Sequence, residues 1–281
     1  MTPYLITETG LFDLKALNHA IELKYGSVQL MEAQLRHDDD EDRNPVGYEL
    51  MGNVGVISVN GTTCTESSWL TRYFSMPSYD DIKQRFAEAS ADGSKVIVLK
   101  PNTPGGAAIG VGALSEFISL FNTKVKPVVT HTSGQMCSAA VWYGTAGSLT
   151  LSDRDADIGS VGAVNVYSSS FRMYEQMGID NEVIRSAPLK AFPSGIEAIS
   201  KKGKEVLQER VDVWGNRFIT GLSENLGIPA EKVKNTIASG KVFTAQQALS
   251  LGLINKIIPF EQLIANLNSK YDNKPVTAPR P

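Results

Sequence analysis

The chain has 281 residues, 42% of them hydrophobic and 20% charged, which suffices to bury a core and excludes global disorder. Lys plus Arg number 27 against 30 for Asp plus Glu, a net charge of −3, so no general basic surface is available for a nucleic-acid backbone. Cys64 and Cys137 make neither a disulfide framework nor a metal-site spacing. No apolar run approaches the ~18 residues of a membrane span, and the first residues lack the basic and apolar regions of a secretion signal.

Residues 1–36 read as helical, because Leu11, Leu14, Leu17, Ala20, Ile21 and Leu30 recur at roughly helical spacing. The acids Asp38 to Asp42 follow, and the run ends at Asn44-Pro45. A solvated linker is expected there, since nothing nearby would fix the acids around a metal. These readings make 1–45 an N-terminal extension and 46–268 the main domain.

Val54–Val59 is strand-like and stops at the turn signal Asn60-Gly61. Ser78 with Asp81 reads as a cap with an acid in the first turn, and Ile82, Phe86 and Ala89 give that helix a buried stripe. Val96–Leu99 is a second strand, apolar throughout, as expected when both faces are covered. Gly105-Gly106 precedes a helix over about 111–121, marked by Val111, Leu114, Phe117, Ile118 and Phe121. Pro127–Thr130 is a third strand, 139–146 a helix, and Leu149–Leu151 a fourth strand. This alternation predicts an α/β fold with a largely parallel sheet. Leu207, Val211, Trp214, Phe218 and Leu222 mark one face of a long helix. Thr244 with Gln247 is a capping box, and Gly252 a stop, for a helix ending at Leu251. Residues 269–281, with three prolines, read as a flexible tail.

Three small-residue segments could carry chemistry. Asn102 to Gly106 follows a strand, and its paired glycines let backbone N–H groups approach a ligand, which suits an oxyanion hole as well as an ordinary turn. Gly134 to Ala140 sets Ser138 between a strand and a helix start, where a serine is either a cap or an exposed nucleophile; Ser133 and Cys137 are its rivals. Ile184 to Lys190 holds a lysine that is either solvated or, if desolvated, able to act as a general base. Of the three histidines, His19, His37 and His131, only His131 could serve a conventional triad, and no acid accompanies it.

The order Pro104-Gly105-Gly106, Ser138, Gly159-Ser160-Val161-Gly162, then Ser186 with Lys190, resembles the signal peptide peptidase A family of Ser–Lys serine proteases on the ClpP/crotonase fold. Lys126 to Val129, Tyr174 to Ile184 and Val242 to Leu253 extend the similarity, which covers about residues 52–257. The resemblance implies repeated β-β-α units. It implies Ser138 as nucleophile, Lys190 as general base in a dry site and Ser160 as the residue orienting the lysine amine. It also implies an oxyanion hole from Gly105, Gly106 and the N–H of Ala139. No metal or other cofactor is implied. The chain departs from the family at Cys137 (an alanine there), Ala139-Ala140 (Gly-Gly), Val141-Trp142 (an aromatic pair) and Ser186-Ala187 (Ser-Gly).

Two branches of that family fit. One is membrane-anchored and degrades signal peptides; the other consists of soluble phage prohead proteases. The N-terminal segment, acidic linker and Pro-rich tail favour the second. The resemblance then implies processing of capsid or scaffold proteins, a homo-oligomer with contacts from about Glu205 onward, and residence in the host cytoplasm or the prohead. A cellular peptide-degrading protease, a crotonase-type acyl-CoA enzyme and a catalytically silent capsid component are the alternatives. Residues 62–77, with Trp69, Tyr73 and Phe74, are read as substrate pocket, oligomer contact or plain loop packing.

Overall fold

The computed structural model describes residues 45–272 and the backbone of Tyr4–Ile6. Its strands are β1 (Tyr4–Ile6), β2 (Gly47–Met51), β3 (Val54–Asn60), β4 (Val96–Asn102), β5 (Gly105–Ala107), β6 (Val128–Thr132), β7 (Gln135–Cys137), β8 (Leu149–Ser152), β9 (Asp157–Gly159), β10 (Val242–Thr244) and β11 (Lys256–Ile257). The helices are α1 (Trp69–Tyr73), α2 (Tyr79–Ala91), α3 (Val111–Lys124), α4 (Ala139–Gly144), α5 (Phe171–Gln176), α6 (Lys201–Leu226), α7 (Ala230–Lys232, continuing into a π-turn over Val233–Ile237), α8 (Ala245–Leu251) and α9 (Phe260–Asp272).

Six strands form the central sheet in the order β11-β8-β6-β4-β3-β2, parallel except for the β2–β3 hairpin. Both faces are covered, and the alternation along β4 shows how. Ile97 and Leu99 point into the larger core with Ile82, Phe86, Leu114 and Ile118 of α2 and α3. Val96 and Val98 point the other way, toward Leu263 and Ile264 of α9. A strand buried on both sides has no room for the polar half of an alternating pattern, hence the unbroken apolar run. Truncating Leu99 to alanine at such a site costs about 2–5 kcal/mol.

The expected β-β-α repeat is present. β4, β6 and β8 each lie in the main sheet and are followed at once by a short strand outside it: β5, β7 and β9. α3 follows the first pair and α4 the second. β7 and β9 pair in parallel, and β10 returns antiparallel on β9. Gly105 and Gly106 lie in this second tier, and Ser138 and Ser160 follow directly on β7 and β9.

Local signals were read correctly at both capping boxes, Ser78 with Asp81 and Thr244 with Gln247, and at the left-handed stop Gly252. Elsewhere the structure corrects the reading. Residues 4–6, placed in a helix by periodicity, form β1, which pairs antiparallel with β5. The rest of the 1–36 helix and the acids Asp38 to Asp42 lie outside the described residues. Residues 269–272, read as tail, complete α9, whose Asn268 side chain accepts from the Asn53 amide and donates to the Met51 carbonyl; residues 273–281 lie outside the described residues.

The long helix α6 is buried at Gly203 in its first turn and otherwise toward its C-terminal end. There Phe218 stacks on Trp142 with ring centroids 5.3 Å apart, and a Cβ on Gly221 would fall 2.1 Å from the Trp142 indole nitrogen. Asn225 donates to the Trp142 carbonyl at 2.8 Å. Most of the first three turns, including Lys201, Lys202 and Glu209, faces solvent.

Candidate active site

Ser138 stands at the junction of β7 and α4, in a conformation that L-residues seldom adopt: φ 53°, ψ −120°. Such a residue costs of order 1–3 kcal/mol and persists only where its surroundings enforce it. They do so here. The Ser138 amide donates to the Gly159 carbonyl at 2.7 Å, the Cys137 amide to the Thr103 carbonyl at 3.1 Å, and the Val141 amide to the Ser138 carbonyl at 2.8 Å. The result is a sharp strand-to-helix elbow. The Ser138 hydroxyl is buried and accepts or donates no hydrogen bond among the described residues. The next amide, that of Ala139, is the first of α4 and has no acceptor within its own helix.

The glycine strand β5 is stitched to this elbow through Thr103. That residue donates its amide to Gln135 at 2.8 Å while accepting from Cys137, so the turn before Gly105 abuts the strand before Ser138. On its other side β5 lies against Thr63, which donates to the Gly105 carbonyl at 2.9 Å and accepts from the Ala107 amide at 3.0 Å. A Cβ on Gly106 would sit 2.0 Å from the Thr63 carbonyl oxygen, so position 106 admits only glycine at this spacing. The Tyr79 hydroxyl donates to the Ala107 carbonyl at 2.5 Å and ties the strand to α2. With Gly105 and Ala107 turned to Thr63, strand alternation leaves the Gly106 N–H and carbonyl on the opposite edge.

Thr63, Tyr79 and Thr103 thus position the site, and none was singled out from the sequence. Each acts through a contact distant in the chain, and Thr63 and Thr103 carry no local signal beyond an ordinary turn.

Ser160 also has φ 53°, and its amide donates to the Lys241 carbonyl at 2.7 Å. The parallel register sets Cys137 opposite Gly159, so Ser138 and Ser160 are the next residues along the two paired strands. Lys190 is not brought to them. It sits in an exposed turn, its amide donating to Ala187 at 2.9 Å and its carbonyl accepting from Arg185 at 2.7 Å. The dry pocket expected around Lys190 is therefore absent in the isolated chain, because the segment from 163 to 200 packs few apolar side chains over it. Met173, Met177, Ile184 and Leu189 of that segment are half or more exposed, Ile184 at 91%.

The rival residues are held elsewhere. His131 is buried in β6, with Nε2 2.8 Å from the Ile258 carbonyl oxygen and 3.9 Å from Asp153. Burial lowers its pKa below the ordinary 6.5, against the opposing pull of that carbonyl and of Asp153. Burial pushes the Cys137 thiol up to about 12, with Asp157 adding to the rise, so it stays a protonated and inert thiol near neutrality. Ser133 is exposed in the turn between β6 and β7. Among the described residues no group of three or more His, Cys, Asp or Glu could hold a metal, and no helix is long and apolar enough to cross a membrane.

A strained serine elbow with a glycine strand stitched beside it, on a sheet of repeated β-β-α units, is the framework of a serine acyl-transfer enzyme. The chain belongs to peptidase family S49, whose model matches residues 120–274. It is 27% identical to capsid assembly protease C of Escherichia phage lambda over 239 residues, covering 85% of this chain and 54% of that protein. It is 26% identical to head-tail preconnector protein GP5 of Enterobacteria phage P21 over 212 residues, covering 75% of this chain and 42% of that protein. Protease 4 of Salmonella typhi is 25% identical over 171 residues, 61% of this chain and 27% of that protein. The chain thus spans about half the length of the phage relatives it matches. Among solved structures, the ClpP protease catalytic domain from Plasmodium falciparum aligns with TM-score 0.45 and 13% identity, over 74% of this chain and 86% of that one.

Proposed function

We propose that this chain is a Ser–Lys endopeptidase that cuts capsid or scaffold proteins during phage head assembly. The observation that carries the chemistry is Ser138, a non-glycine residue held at φ 53° at a helix entrance with an unpartnered buried hydroxyl. The identity to the two phage proteins supports the setting.

In this reading the Ser138 oxygen attacks the peptide carbonyl carbon while Lys190, as the neutral amine, takes the hydroxyl proton. The carbonyl oxygen becomes an anion and is met by the N–H groups of Gly106 and Ala139, a contribution of about 3 kcal/mol per donor in comparable sites. The C–N bond then breaks, Lys190 returns the proton to the leaving amine, and water hydrolyses the acyl ester by the same steps. Ser160, which follows the strand paired with the one before Ser138, holds the lysine amine in place.

Ser138 is preformed and Lys190 is not, so the dyad needs an event that covers the exposed segment around Lys190. We take that event to be packing against a second copy of the chain, which buries the apolar side chains Met173, Met177, Ile184 and Leu189 and delivers the lysine of one copy to the serine of another. The fully assembled protein, not the lone chain, is then the peptidase.

The test is intact-mass analysis of wild type and Ser138→Ala, each incubated with casein. Fragments from wild type alone support the reading. Fragments from both variants would remove Ser138 from the role.

A further inference from the structure

The edge of β5 that carries the Gly106 N–H is occupied in this structure by the chain's own β1. The register is antiparallel, with Tyr4 opposite Ala107, Leu5 opposite Gly106 and Ile6 opposite Gly105. Because Gly105 and Ala107 spend their bonds on Thr63, the residue on β5 that bonds to β1 is Gly106. In an antiparallel ladder the directly opposed bonding pair exchanges both hydrogen bonds, so the Gly106 N–H faces the Leu5 carbonyl and the Leu5 N–H faces the Gly106 carbonyl. Gly105, Gly106 and Ser138 are all buried, whereas a peptidase site must open to a polypeptide.

We propose that the segment Tyr4–Ile6 is an internal occupant of the substrate edge of β5, holding the Gly106 N–H and excluding extended peptides until it is displaced. The inference rests on the peptidase reading above and adds to it a competitor that belongs to the chain. The chemistry of such an edge is backbone pairing, which is largely indifferent to side chains, so a strand of the chain and a strand of substrate compete for the same two bonds. A tethered strand competes within its own molecule, at an effective concentration that does not fall as the protein is diluted. The apparent affinity for substrate is then reduced by the fraction of molecules whose edge is open.

Two measurements on the 281-residue chain test this. Leu5→Pro removes the N–H that pairs with the Gly106 carbonyl, while Ile6→Pro, whose N–H faces away from β5, is the control. For cleavage of a flexible peptide, Leu5→Pro should lower KM about twofold to tenfold with kcat unchanged, and Ile6→Pro should move KM less. Equal KM values for wild type and Leu5→Pro would overturn the proposal. The second measurement needs no catalysis. Ser138→Ala chains with and without Leu5→Pro are titrated with a fluorescent peptide of residues 2–9. Tighter binding to the Leu5→Pro chain supports the occupant, and equal binding refutes it. If no chain cleaves anything while the peptide still binds the Leu5→Pro chain more tightly, the peptidase reading falls and the self-occupied edge stands.

Discussion

The Ser138 amide donates to the Gly159 carbonyl at 2.7 Å, and this one bond ties the elbow at Ser138 to the strand that precedes Ser160. Ser138 and Ser160, from different β-β-α units, each follow directly on one of two strands paired in parallel. The cost is visible in both backbones, each at φ 53°.

On the proposed reading the strain at Ser138 serves chemistry rather than stability. Ser138→Ala should therefore abolish peptide hydrolysis, a loss of at least about 10³-fold, while leaving the melting temperature unchanged or higher, since it removes a buried hydroxyl without a partner. Ser138→Gly should melt higher than wild type, because glycine accepts positive φ freely. Thermal unfolding followed by circular dichroism reads both; a large fall in either variant would mean that the hydroxyl holds the fold.

Lys190 is exposed and Ser138 buried, which leads to a complementation test. Ser138→Ala and Lys190→Ala should each be inactive, and a mixture of the two should regain activity as exchanging copies form sites with an intact serine and an intact lysine. Peptide cleavage by the pure variants and by the mixture reads this. A mixture as inactive as its components would place both residues of the dyad in one copy.

Gly106→Ala should fail for a steric reason. Its Cβ would fall 2.0 Å from the Thr63 carbonyl oxygen, so β5 must move away from Thr63, at a cost of about 1–3 kcal/mol. Urea unfolding should show that loss, and peptidase activity should fall with it. Thr63→Ala, which keeps the backbone bonds of residue 63, should be far milder. An active, wild-type-like Gly106→Ala would show that the spacing of β5 and Thr63 is not what the site needs.

His131 is buried with its pKa lowered, and the proposed reading gives it no part in catalysis. Its folded pKa lies below the unfolded value of 6.5, so below pH 6.5 the unfolded chain binds more protons and the folded state is penalised. Its contribution is present in full above 6.5 and is lost as pH falls toward and through the folded pKa. His131→Asn should keep peptidase activity and lose less stability than wild type between pH 7.5 and 5.5, measured by urea midpoints. Abolished activity would return histidine to the mechanism.

Much of this was legible along the chain. Val96 to Leu99 announced a doubly covered strand, and Thr244 with Gln247 fixed a helix start to the residue, because both signals act over a few neighbours. The order of short segments singled out Ser138 and Gly106, where the structure has a positive-φ elbow and a glycine with no room for a Cβ. Three things were not legible. The short strands β5, β7 and β9 have no periodicity long enough to read. Thr63 and Tyr79 matter through contacts more than twenty residues away. Residues 4–6 carry helical spacing with their neighbours, yet are drawn into a strand by an open edge a hundred residues distant, a tertiary preference that local propensity cannot express.

The separation of an always-cocked Ser138 from a solvent-facing Lys190 has a physiological consequence. On the proposed reading a dilute chain has no complete site. On the same reading, crowding many copies into a small volume completes the sites together. Specific activity then becomes a function of local concentration, rising faster than in proportion to the amount of protein, and confinement itself acts as the trigger.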